Sequence, residues 1–129
     1  MDITARFLKY VSFCTTSDEE TNMTPSTPGQ MEFAQYLRDE LKTIGLQEVE
    51  LDDNGYIMAT LPANTEGKPT IGFIAHVDTA PDASGKHIQP RVVKTYDGND
   101  IVLNEAENIV LEVSKYPEIQ HYTGQDIIA

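Results

Sequence analysis

Residues 70–82 read Thr70-Ile-Gly-Phe-Ile-Ala-His-Val-Asp-Thr-Ala-Pro-Asp82, and the rest of the chain is best understood from them outward. Ile71, Phe73, Ile74 and Ala75 make a short apolar run with little alternation, the pattern of a strand buried on both faces of a helix-covered sheet. His76 and Asp78 follow at spacing i, i+2, which in extended backbone places both side chains on one face, so that Asp78 can steer the His76 ring. A metal-bound imidazole usually has its second nitrogen held by a carboxylate or carbonyl. Open α/β sheets bind ligands beyond the carboxyl ends of their strands, where His76 is expected. By spacing alone, a solvated strand-end pair or a turn cap is the commoner outcome of His-x-Asp.

Upstream, Val49 and Leu51 alternate with charged neighbours, Asp53-Asn-Gly55 offers a type I′ turn, and Tyr56–Leu61 resumes an extended apolar pattern, which together predict a hairpin. Before it, Thr27-Pro-Gly-Gln30 carries an N-cap, a proline at the first helical position and a glutamine at the third, the elements of a capping box. Phe33, Ala34, Leu37, Leu41 and Ile44 then mark a core-facing stripe that Gly45 ends. Asp2 caps a first predicted helix whose Ile3, Phe7, Leu8 and Val11 should lie on the sheet. The polar stretch Thr15–Thr27 reads as a loop. Cys14, at its edge, has no cationic neighbour in sequence to activate it and is expected to be a buried, inert thiol.

Downstream, Pro81–Gly85 has turn chemistry, and Asp82 fits a turn former better than a ligand. Arg91–Lys94 and Ile101–Leu103 are expected as short strands flanking the Tyr96–Asp100 turn, with Ile109–Val113 as another. His87 and His121 stand in no ligand-like cluster and are read as exposed loop residues. Helices alternating with extended segments predict an α/β fold, a mixed-direction β-sheet flanked by helices.

The 129 residues have room for one ordinary domain. A formal net charge of −12 argues against nucleic-acid or anionic-membrane partners, since phosphate would be repelled. No apolar run reaches the length of a membrane-spanning helix, and the amino-terminal residues lack a signal-peptide pattern. A single cysteine fits a reducing, cytoplasmic compartment.

With its flanks included, the stretch resembles the metallopeptidases that carry His-x-Asp after a buried strand, and among them most closely the tripeptide aminopeptidases of the peptidase T family. The resemblance rests on Arg6-Phe-Leu-Lys-Tyr-Val-Ser12, Pro25-Ser-Thr-Pro-Gly-Gln30, Met58-Ala-Thr-Leu-Pro-Ala-Asn64, Gly72–Asp82 and Ser84-Gly-Lys86, in the family's order and spacing. It implies a cytoplasmic exopeptidase with two zinc ions that removes the N-terminal residue of tripeptides. The residue matching His76 is a zinc ligand in that family, and the one matching Asp78 is a catalytic-site carboxylate associated with it. The family's bridging Asp, general-base Glu and remaining ligands lie further along a longer chain. A segment like Gly124-Gln-Asp-Ile-Ile128 closely precedes the turn bearing the bridging Asp, so residues 1–129 are expected to be a truncated N-terminal portion of the catalytic domain.

Such a portion is expected to be inactive alone and to self-associate through open sheet edges or apolar surface. Two other readings stay open at this point. One is a related dipeptidase or amino-acid deacylase, which His-x-Asp does not distinguish. The other is a non-catalytic acidic binding module built on a peptidase-like fold.

Overall fold

Asp2 accepts a hydrogen bond from the Ala5 N–H at 2.8 Å and so caps α1 (Ile3–Tyr10) in the computed structural model, which describes residues 2–129. The described residues divide into two compact units, one ending at Ile88 and the other spanning Gln89–Ala129. The α/β class is borne out: among the described residues two α-helices and a 3₁₀ helix accompany six short strands. The strands form three separate two-stranded antiparallel sheets, and the one parallel pairing among the described residues is a bridge between Thr16 and Thr79.

In the first unit α2 (Pro28–Thr43) is the framework. Its C-terminus is a Schellman closure, with the Leu46 N–H on the Leu41 carbonyl and the Gly45 N–H on the Lys42 carbonyl, each at 3.1 Å. Phe33 and Ala34 are buried as the stripe predicts, whereas Ile44 is exposed. Around Phe33 gather Tyr10, at 5.3 Å in a T-shaped contact, and Phe13, at 5.0 Å, while Tyr36 meets Phe13 at 5.3 Å. The Lys9 ammonium lies 4.8 Å from the Phe13 ring centre.

The expectation that α1 lies on a sheet is corrected. Ile3 and Phe7 are exposed, and α1 meets α2 instead, where Glu40 pairs with Arg6 at 3.3 Å and accepts the Tyr10 hydroxyl. Burial first, and then this hydrogen bond, push the Tyr10 phenol up to about 12.

The capping box is also corrected. The Thr27 hydroxyl donates to the Thr16 carbonyl at 3.0 Å and not to its own helix. Gln30 accepts from the Ser26 N–H at 3.0 Å and donates to the Thr15 carbonyl at 3.3 Å. Both side chains thus hold the preceding polar loop onto the helix, because Gln30 is buried and needs partners on each end of its amide. Gly29 permits this approach: a Cβ there would sit 1.9 Å from the Cys14 carbonyl oxygen.

The hairpin β1 (Gln47–Leu51) and β2 (Ile57–Thr60) pairs Leu51 with Ile57 and Glu50 with Met58. Its connection is a three-residue loop and not the type I′ turn. The Gly55 N–H closes on the Asp52 carbonyl at 3.1 Å, Gly55 takes φ +83°, and Asp52 Oδ1 accepts from the Asn54 and Tyr56 N–H groups. A type I′ turn would need positive φ at both of its central positions, and of residues 53–55 only Gly55 supplies it.

The largest correction concerns Thr70–Ala75, which forms no ladder with any described strand. Ile71, Phe73 and Ile74 are 74%, 93% and 102% exposed. An apolar run becomes a buried strand only where neighbours hydrogen-bond its backbone and cover its faces; among the described residues none does.

The second unit pairs β3 (Val92–Val93) with β6 (Ile127–Ile128), and β4 (Ile101–Asn104) with β5 (Ile109–Leu111). Tyr96 and Ile101 are its buried residues. The Tyr96 hydroxyl donates to the Asn99 carbonyl at 2.6 Å, closing the Tyr96–Asp100 turn expected from sequence. No helix among the described residues is long and apolar enough to cross a membrane.

Candidate functional site

His76 and Asp78 are brought together at the end of the Thr70–Ala75 run. His76 Nδ1 lies 3.0 Å from Asp78 Oδ1 and 3.0 Å from the Asp78 carbonyl oxygen. Both neighbours are acceptors only, so Nδ1 carries the proton and, in the neutral ring, Nε2 keeps a bare lone pair. The ring is 85% exposed, which leaves Nε2 accessible.

The other carboxylate oxygen is also committed. Asp78 Oδ2 accepts the Ser17 hydroxyl at 2.5 Å, from a residue 61 positions away in sequence. That hydroxyl, followed by the His76 N–H, holds the Asp78 carboxyl below the usual Asp range. A depressed native value means that the arrangement contributes stability above the ordinary Asp value of about 3.9 and loses it as the pH falls through and below that value. An acid titration of the Asp78 carboxyl carbon followed by NMR is expected to show a midpoint below that of a free aspartate. A midpoint at or above it would contradict the observed bonding.

A cleft of about 940 Å³ lies beside the pair, lined by Ser17, Gln30, Met58, Phe73, His76 and Asp78 among others. Its walls come from the polar loop, the hairpin and the Gly72–Asp78 segment, so it joins an apolar surface to the imidazole and carboxylate. Ser17 and Gln30 are the members that sequence reasoning missed. In sequence Gln30 has the position of a cap and Ser17 that of a loop residue, and nothing local to either signals a partner so far along the chain.

His87 is exposed and does not line this cleft, and His121 belongs to the second unit. Cys14 is half-buried with a free thiol. The exposed Nε2 of His76 has the donor chemistry of a zinc ligand. Among the described residues no group of three or more His, Cys, Asp or Glu side chains converges, so His76 fits one position of a coordination sphere and not a complete one.

No family model matches the chain. It is 62% identical to Peptidase T of Parabacteroides distasonis over 129 residues, covering 99% of this chain and 32% of that protein. It is 55% identical to Peptidase T of Caldanaerobacter subterraneus subsp. tengcongensis over 98% of this chain and 31% of that one. Against Peptidase T of Clostridium botulinum the identity is 56%, again with 98% and 31% covered. The chain thus spans about a third of the length of the curated relatives it matches.

Proposed function

We propose that the chain, similar to the Peptidase T proteins over nearly all of its own length, is a member of the peptidase T family and the N-terminal portion of the catalytic domain of a zinc-dependent aminopeptidase releasing the N-terminal residue of tripeptides. The observation that carries this is the His76 ring, with Nδ1 committed to Asp78 and a bare Nε2 beside a cleft.

Bound zinc supplies an acidified water and a Lewis acid for the peptide carbonyl. The chain's own part is to hold the ligand. His76 offers Nε2, and Asp78 fixes the ring's orientation and tautomer, a contribution whose loss elsewhere costs about 10–100-fold in metal affinity or activity. Two ions and a small peptide substrate complete the reading.

A cytoplasmic location is supported by the single free cysteine. The net charge of −12 supports a protein without nucleic-acid or anionic-membrane partners. The exposed Ile71, Phe73 and Ile74 support association with a second copy of the chain.

The test uses the parent-length protein as its gene encodes it. Release of the first residue from an unblocked tripeptide is expected, abolished by a chelator and restored by zinc. Turnover of dipeptides or acylated amino acids in place of tripeptides, or hydrolysis indifferent to chelation, would remove this reading.

A further inference from the structure

The connection from α2 to the His76 ring runs through one hydroxyl. The Ser17 N–H donates to the Thr79 carbonyl at 2.9 Å, and the Thr79 N–H donates to the Thr15 carbonyl at 3.2 Å, so the backbones on either side of the site are bridged. The Thr15–Thr16 side of that bridge is tied to the start of α2 through Gln30 and Thr27. Ser17 is thereby delivered against Asp78, with its hydroxyl 2.5 Å from Oδ2.

A carboxylate turns easily about its last side-chain bond, where the torsional wells are broad. Left with one partner, Asp78 would present either oxygen, or neither, to the ring. We propose that Ser17 is a positioning residue for His76: by holding Asp78 Oδ2 it keeps Oδ1 on Nδ1 and so keeps the imidazole in the tautomer that presents a bare Nε2. This deepens the reading of His76 as a metal ligand, but the tautomer itself is set without metal. The Asp78 carbonyl shares the same N–H, so loss of Ser17 shifts the tautomer balance and does not invert it. The corresponding fall in metal affinity is about 10-fold, the low end for a group acting through a ligand.

The test is a nitrogen-15 spectrum of the histidine rings in the whole 129-residue chain at about pH 8, above the ordinary imidazole range, with His76 identified by its loss in His76→Gln. The expected result is an Nδ1-protonated His76 ring in the unaltered chain, a mixture of tautomers in Ser17→Ala, and restoration in Ser17→Thr, with the amide spectrum around Phe33 unchanged. Ser17→Gly makes the same comparison should the alanine variant not fold. An Nε2-protonated ring in the unaltered chain, or a balance unmoved by removing the hydroxyl from a folded chain, would overturn the proposal. Zinc is added in a separate spectrum. A His76 signal indifferent to zinc would remove the metal-ligand reading and leave the Ser17 result standing, whereas a zinc-responsive signal with a tautomer balance unmoved in Ser17→Ala would keep the metal-ligand reading and overturn the Ser17 proposal.

Discussion

Zinc added in excess to the 129-residue chain is expected to give no measurable tripeptide hydrolysis. Catalytic zinc normally takes three protein ligands and keeps a fourth position for water, and the described residues converge no more than one imidazole and one carboxylate. The reaction also needs a base to take the proton of the attacking water. Asp78 is poorly placed for that, because both of its oxygens already accept hydrogen bonds, from Ser17 and His76, and its carboxyl is held below the usual range. Free amino acid would be followed by chromatography over a long incubation. Hydrolysis that appears with zinc and disappears in His76→Ala would show that one imidazole suffices, and the account of the site would have to be rebuilt.

Phe33→Ala is expected to cost the first unit about 3–5 kcal/mol, the range for emptying a buried aromatic position. Phe33 is 7% exposed and touches both Tyr10 and Phe13, so its removal opens the contact between α1 and α2 and the segment that follows α1. Marginal domains hold only about 5–15 kcal/mol in all, so the loss is a large share. It should also reach the site, because Gln30 lies one helical turn before Phe33 and anchors the loop that carries Ser17. Urea unfolding followed by circular dichroism should show a lower midpoint with little change of slope. An unfolding free energy within about 0.5 kcal/mol of that of the unaltered chain, the scale of surface substitutions, would mean that the aromatic cluster is not the core of this unit.

α2 was legible because its signals are local: a proline at the start, an apolar stripe at helical spacing and a glycine just past the end all lie within one short stretch. The hairpin was legible for the same reason, although Asp52, by accepting two N–H groups, selects a longer loop than Asp-Asn-Gly alone implies. Thr70–Ala75 was not, since its composition expresses a preference for burial while a strand requires partners that composition cannot specify. The site divides along the same line. His76 and Asp78 are near neighbours in sequence, and their meeting follows from spacing. Ser17 reaches Asp78 only through the Thr16–Thr79 bridge, a pairing between two polar segments with no periodicity to announce it.

The uncovered run has a consequence before folding is complete and wherever the chain is concentrated. Thr70–Ala75 is a six-residue window without charge or proline, and residues 71, 73 and 74 are large and apolar, which is the composition that stacks into dry, interdigitated cross-β layers. Lys68 and Pro69 stand immediately before it; His76 follows immediately after, with Asp78 beyond Val77. Charges and a proline in those positions act as gatekeepers, interrupting the stacking of one copy on the next. His76 and Asp78 therefore serve a second purpose on the same segment: the polar pair that ends the run also limits how far it can zip with its own kind.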